Sequence, residues 1–170
     1  NKTTPITNFY GTEIELLIPT RYGYDFVEWE NTTNIGSLSG NLTNGFKFIF
    51  GEGNTTIFAK WNPKLVIVKF DAQQGTIDGN NIAISGDKKI GQASYSFGNQ
   101  FGKMPIGKLD GYRFIGWFTE KTGGLQMTEG KEISNENNFT LYAHYEESIF
   151  DPSKRNWDEI AQAMCQSELV

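Results

Sequence analysis

A single cysteine, Cys165, and a single histidine, His144, stand among 170 residues. An internal disulfide framework and a cysteine-rich zinc site are thereby excluded, and little remains for imidazole acid–base chemistry. No apolar run approaches the roughly 20 residues that a membrane span requires, and no basic-then-apolar leader opens the sequence. It therefore reads as neither a membrane-inserted segment nor a secretory precursor. Positive charge is not in excess: Lys and Arg number 15 against 20 Asp and Glu, a net charge of −5. The deficit is spread evenly, with 4 basic and 6 acidic groups in residues 1–63, 9 and 10 in residues 64–147, and 2 and 4 in residues 148–170. Nucleic acid and anionic lipid both require a basic footprint, so both drop out as partners. What is present is apolar and aromatic: 38% hydrophobic and 14% aromatic residues can bury cores without help from disulfides or metals.

Self-similarity organises the chain. Gly23-Tyr24-Asp25-Phe26-Val27-Glu28-Trp29 recurs as Gly111-Tyr112-Arg113-Phe114-Ile115-Gly116-Trp117, an offset of 117 − 29 = 88. Ile57-Phe58-Ala59-Lys60-Trp61 recurs as Leu141-Tyr142-Ala143-His144-Tyr145, an offset of 145 − 61 = 84. Upstream, Tyr10-Gly11 and Phe97-Gly98 match at an offset of 87, so the order of landmarks is kept. Two tandem modules follow, residues 1–63 and 64–147, with residues 148–170 as a third segment.

Period-two alternation and β-branched or aromatic content predict strands around Tyr24–Trp29, Ile57–Trp61 and Val66–Phe70, the last closed by a turn at Gln73-Gln74-Gly75-Thr76. Gly, Asn, Asp and Thr clusters at residues 31–45, 78–92 and 121–138 predict loops or short hairpin connections. A short helix or helical turn is expected only after Tyr10-Gly11 and after Gly98-Asn99, limited by Pro19 and Pro105. In the last segment Asp151-Pro152 is a start signal, Asn156 and Glu159 form a capping-box pattern, and Trp157, Ile160, Ala161, Met164 and Leu169 share a helical face. A terminal helix of about three turns is expected there, either packed on the second module or opening a following domain.

The blocks Val68-Lys69-Phe70-Asp71-Ala72-Gln73-Gln74-Gly75-Thr76, Leu109–Glu120 and Phe139–Tyr145 together resemble the internalin B-repeat, also called the Listeria/Bacteroides repeat. The resemblance covers residues 65–146, and the first module is similar to the later part of the same repeat through Pro19–Trp29 and Ile57–Trp61. Its first strand, with the Phe-Asp-Ala block, has no counterpart after Asn1. Gln74, Gly107 and Glu28 depart from the residues that the family usually carries. The resemblance implies an α+β, β-rich fold: two small β-grasp-like modules, each a mixed sheet of about four strands crossed by a short helix or loop. It also implies display on a bacterial cell surface or secretion. For the first module an incomplete sheet is expected, one that exposes an edge or borrows a strand from residues 1–9, the interface or a neighbouring chain. A monomer, or a weak dimer through that edge, follows.

The motif has a physical reading. Gly23 and Gly111 supply a turn conformation that side chains disfavour, and Tyr24, Phe26, Trp29, Trp61, Tyr112, Phe114, Trp117 and Tyr145 are packing residues of small modules. Acidic clusters are the remaining raw material for catalysis: Glu13 with Glu15, and Asp25 with Glu28 and Glu30. A glycosidase needs two carboxylates about 5–10 Å apart in a cleft. The second module does not repeat these acids, and a solvated strand face is the plainer reading. Asp78-Gly79-Asn80-Asn81 and Asp87 read as turn chemistry rather than a calcium loop, His144 as a solvent-facing position, and Cys165 as a small apolar group. No catalytic residue, cofactor or metal is expected.

The sequence thus reads as a non-enzymatic tandem-repeat segment of a bacterial surface or secreted protein, a spacer and protein-interaction module. Asn62-Pro63-Lys64 would set the angle between modules. A second reading is a cell-adhesion module binding protein or glycan on a host or neighbouring cell, with exposed aromatics Tyr10, Tyr22 and Phe118 as the contact. A third is an accessory segment of a larger surface enzyme whose active site lies in an adjoining domain.

Overall fold

A computed structural model describes residues 4–79 and 81–148. Thirteen strands occur in chain order: β1 (Glu13–Leu16), β2 (Tyr24–Asn31), β3 (Ser37–Asn41), β4 (Gly45–Ile49), β5 (Ile57–Pro63), β6 (Leu65–Asp71), β7 (Thr76–Asp78), β8 (Ala83–Ile84), β9 (Ile90–Ser96), β10 (Ile106–Lys108), β11 (Tyr112–Phe118), β12 (Gln126–Met127) and β13 (Phe139–Glu147). The fold is all-β among the described residues, and the expected α+β class is corrected accordingly. Neither internal helical turn forms. Glu13-Ile14-Glu15-Leu16 alternates with period two and pairs antiparallel with β4, a bonding partner that four residues of isolated helix cannot match. After Gly98 the backbone is held extended, with Phe101 N donating to Lys131 O and Gly130 N to Phe101 O, so that Phe101 and Met104 enter a core. The terminal helix expected within residues 148–170 lies outside the described residues, which end at Ser148.

Two units emerge. One comprises the residues up to Val66 together with Tyr95–Asn99 and Glu132–Asn137; the other comprises Ile67–Ser94, Gln100–Lys131 and the described residues from Asn138 on. In the first, β2 pairs antiparallel with β5 as a two-stranded sheet, and β1-β4-β3 forms a three-stranded sheet. The β3–β4 hairpin occupies part of the region expected as loop or hairpin, its turn held by the Asn41 carboxamide oxygen accepting from Thr43 N and Asn44 N. Phe26, Phe46 and Phe48 are buried, and the Phe26 ring meets Phe46, Trp29 and Trp61 edge to face at 5.5–5.6 Å.

The six-stranded sheet runs β12-β11-β13-β6-β9-β8, and a separate β10–β7 pair lies beside it in sequence. This sheet is mixed, because β13 runs parallel to β6, with Phe139, Thr140, Leu141 and Tyr142 opposite Val68, Lys69, Phe70 and Asp71. Strand β6 is central in the sheet but buries one face: Val66, Val68 and Phe70 are wholly buried, while Leu65 and Lys69 on the other face are exposed. Ile77, Phe101, Met104, Trp117, Leu141 and Ala143 are further buried apolar residues of the second unit.

The internal repeat survives folding in detail. Phe26, Glu28, Trp29 and Glu30 face Trp61, Lys60, Ala59 and Phe58 across β2–β5, with a bulge between Phe26 and Glu28. Phe114, Gly116, Trp117 and Phe118 face Tyr145, His144, Ala143 and Tyr142 across β11–β13, with the bulge in the same place. A shared bulge re-aims the tryptophan that follows it in each copy. Glu28, which replaces the glycine of the second copy, is accommodated without a positive φ.

Candidate interaction surface

Each copy of the motif begins with the same turn. Tyr24 N donates to Arg21 O at 3.1 Å and Tyr112 N to Leu109 O at 3.0 Å, with Gly23 at φ 77° and Gly111 at φ 79° in the third turn position. A positive φ at that position alone is the geometry of a type II turn. In the first unit the turn is clamped. The Glu136 carboxylate accepts from Gly23 N at 2.8 Å and from the Lys64 ammonium at 2.8 Å, while Lys64 N donates to Gly23 O at 2.9 Å. Phe97, whose N–H donates to Lys64 O, meets the rings of Tyr22 and Tyr24 edge to face at 5.4 and 5.6 Å. Arg21 lies over the Tyr24 ring at 3.8 Å from its centroid.

Charge pairing moves both members of the clamp. The Lys64 hydrogen bond and then the Gly23 N–H hold the Glu136 carboxyl below its ordinary range, and the bond to Glu136 raises Lys64 above its own. A lowered carboxyl stabilises the fold above its unfolded pKa and loses that contribution as pH falls. A raised lysine contributes below its unfolded pKa and loses the contribution as pH rises. The stability gap between wild type and Glu136→Gln is therefore expected to be flat from about pH 6 to 9, to close below about pH 4, and to shrink above about pH 10. Urea melts of both proteins across that range check it; a gap unchanged at pH 3 would assign the effect to shape rather than charge.

The three candidate contact aromatics fall in different surroundings. Tyr10 is 74% exposed and has no ring partner among the described residues. Tyr22, 60% exposed, rests one edge on Phe97 and donates its hydroxyl to Ser134 O at 3.3 Å. Both belong to the first unit, where Phe9, Leu17 and Ile18 are also exposed. Phe118 belongs to the other unit and is half-buried, stacked on His144 at 4.0 Å and 9°. The imidazole Nε2 is in turn bonded to Glu120 O at 2.9 Å, so His144 is a packing partner on a strand face.

Equivalent motif residues differ in burial between the copies. Phe26 and Trp117 are buried; Tyr24, Trp29, Trp61, Phe114 and Tyr145 are half-buried; Tyr112 is exposed. Tyr145 donates its hydroxyl to Ala72 O at 3.2 Å, and burial raises its pKa, which keeps that donor protonated. The two repeated tryptophans differ most. Trp117 is 1% exposed, packs on Phe70 at 5.0 Å and donates its indole N–H to Pro105 O at 2.7 Å. The Trp29 indole nitrogen is buried and has no partner among the described residues. At an offset of 87 the counterpart of Pro105 is Ile18, half exposed just beyond a strand drawn towards β4.

Of the five acidic candidates, Glu13, Glu28 and Glu30 are ion-paired where they stand. Glu28 and Glu30 flank Lys60 at 2.9 and 3.0 Å, Glu13 pairs with Lys47 at 2.6 Å, and all are about half exposed on strand faces. Asp78 pairs with Lys108 at 2.6 Å, and Asp87 caps its own turn by accepting from the Ser85 hydroxyl and Lys89 N. Among the described residues no three metal-ligating side chains converge. Sequence reasoning missed Glu136 and Phe97 as partners of the Gly23 turn, because both lie far along the chain, and the repeat aligns Phe97 with Tyr10 without pointing to Gly23.

A search of curated proteins found no match. The Listeria-Bacteroides repeat domain model matches residues 1–60 and 67–144, one tandem copy after the other.

Proposed function

Because the chain belongs to the Listeria-Bacteroides repeat family, we propose that it is a non-enzymatic spacer and protein-interaction segment of a bacterial surface or secreted protein. Repeats of this family occur in bacterial surface or secreted proteins. One observation carries the reading: the two copies share framework and not reactive groups. Strand register, bulge and entry turn recur at β2–β5 and β11–β13, whereas Asp25, Glu28 and Glu30 give way to Arg113, Gly116 and Phe118. A repeated catalytic or ligand-binding site would repeat its chemistry, and a repeated building block need repeat only its packing.

A second reading, recognition of protein or glycan on a host or neighbouring cell, is favoured by the exposed apolar residues of the first unit, Phe9, Tyr10 and Tyr22 among them. Arrays of glycans and extracellular-matrix proteins separate the two. The folded chain is expected to give no signal that Tyr10→Ala, Tyr22→Ala or Phe118→Ala removes. Specific binding lost in a correctly folded variant would replace the spacer with a recognition surface.

A further inference from the structure

A cleft of about 310 Å³ lies wholly within the second unit, lined by the Gln73-Gln74 turn, the loop after β11 and the middle of β13. Part of its lining is held in place. Gln73 takes a φ of 54°, its N–H donates to the Asp71 carboxylate at 2.7 Å, and its carboxamide nitrogen donates to Ala143 O at 2.7 Å and Lys121 O at 3.3 Å. His144 is fixed by its stack on Phe118 and its bond to Glu120 O. Groups fixed in this way lose little freedom when something binds. Four exposed lining side chains have polar ends without a hydrogen-bond or ion-pair partner among the described residues: the Gln74 carboxamide, the Tyr112 phenol, the Lys121 ammonium and the Thr122 hydroxyl. Ile115, 39% exposed, adds apolar surface, and no carboxylate is among the lining residues. The first copy covers the equivalent ring. Tyr24, at the offset of 88, has Arg21 over its face at 3.8 Å and Phe97 edge to face at 5.6 Å, whereas Tyr112 has no ring or cation partner among the described residues. Lys60, the counterpart of His144, is tied to Glu28 and Glu30. One framework thus presents a closed position in the first copy and an open one in the second.

We propose that this cleft binds a carboxylate-bearing saccharide, a uronic-acid unit, which rests on the recognition reading above and gives it a site and a ligand class. The donor set selects that chemistry. An exposed phenol ring beside carboxamide and hydroxyl groups offers a sugar one apolar face together with donors and acceptors for its hydroxyls. Lys121 brings a point charge with three donors, and with no acid in the lining to compete for it, an anionic sugar is favoured over a neutral one. An acidic polypeptide fits less well, because strand addition is closed at this place. Strand β11 occupies one edge of β13, and on the other edge β6 ends opposite Tyr142, where the Gln73 carboxamide takes the next carbonyl, Ala143 O. The volume is at the small end of ligand sites, room for about one or two sugar units and not for a folded partner.

The test is an NMR titration of the full chain with trimers of galacturonate, glucuronate and mannuronate, and with a galactose trimer and triglutamate as controls. At least one uronate is expected to give saturable amide shifts centred on Gln74, Tyr112 and Lys121, with a Kd of about 0.1–1 mM. Lys121→Gln and Tyr112→Ala are each expected to weaken that binding at least about tenfold, their folding checked by unchanged spectra away from the cleft. Tyr10→Ala, in the other unit, is expected to bind as the wild type does. No saturable shift with any uronate up to about 10 mM overturns the proposal. So do equal shifts with the galactose trimer, which would remove the charge, equal shifts with triglutamate, which would point to an acidic peptide, and shifts that survive both substitutions. Array binding that persists in Lys121→Gln and Tyr112→Ala would keep the recognition reading and overturn the cleft as its site, whereas a chain silent on the arrays and in the titration overturns both.

Discussion

Trp117→Ala is expected to destabilise the unit that contains it by about 3–5 kcal/mol, the cost of emptying a large aromatic from a closed core. Three losses add there. The ring is 1% exposed, it packs on Phe70 at 5.0 Å and Phe114 at 5.4 Å, and its N–H satisfies Pro105 O at 2.7 Å. The same substitution at the repeated position has a smaller effect. Trp29 is half-buried, its ring meets only that of Phe26 among the described residues, and its indole nitrogen has no partner among them, so Trp29→Ala is expected to cost about 1–2 kcal/mol. Urea unfolding followed by residue-resolved NMR, which reports each unit separately, checks both values. Equal losses would mean that the two copies are packed alike around their tryptophans and would undercut the difference attributed to β6.

That difference marks how far the sequence could be read. Alternation in Tyr24–Trp29, Ile57–Trp61 and Val66–Phe70 was legible because each strand buries one face or both, and burial is what writes period two. The repeat offsets located the paired framework, since residues that share a cross-strand partner keep their spacing. The helical turns were misread where the decisive partner lay far away. Residues 13–16 become a strand through β4, whose paired residues lie 30 to 36 positions on, and residues 100–105 are held open by Gly130 and Lys131. Local propensity over so few residues is weak, and distant backbone partners decide.

The surface was less legible still. An aromatic residue does not announce in sequence whether its ring will meet solvent, and Tyr10, Tyr22 and Phe118 illustrate three outcomes: bare, half-propped on Phe97, and stacked on His144. Among the described residues β5 pairs with β2 alone whereas β13 lies between β11 and β6, a difference between two similar sequence blocks that only the sheet order shows.

Gly23→Ala is expected to be among the more damaging single-methyl changes in the first unit. Two costs coincide at this position. The residue sits at φ 77°, where an L side chain is strained by about 1 kcal/mol, and the added carbon would enter the volume of the Phe97 ring. Phe97 cannot simply turn aside, because its N–H is fixed to Lys64 O and its ring is set between Tyr22 and Tyr24. Overpacking of that kind adds about 1–3 kcal/mol, for a total of roughly 2–4 kcal/mol. Gly11 separates the two costs. Its φ of 76° is nearly the same, and nothing lies within 4 Å of an added carbon, so Gly11→Ala should lose only the backbone strain of about 1 kcal/mol. Thermal melts of both variants provide the comparison, with Phe97→Leu combined with Gly23→Ala as the third arm. If the ring is the obstacle, the smaller side chain recovers part of the loss that Gly23→Ala inflicts; if the double variant is as unstable as the sum of the two single changes, the turn itself carries the whole cost.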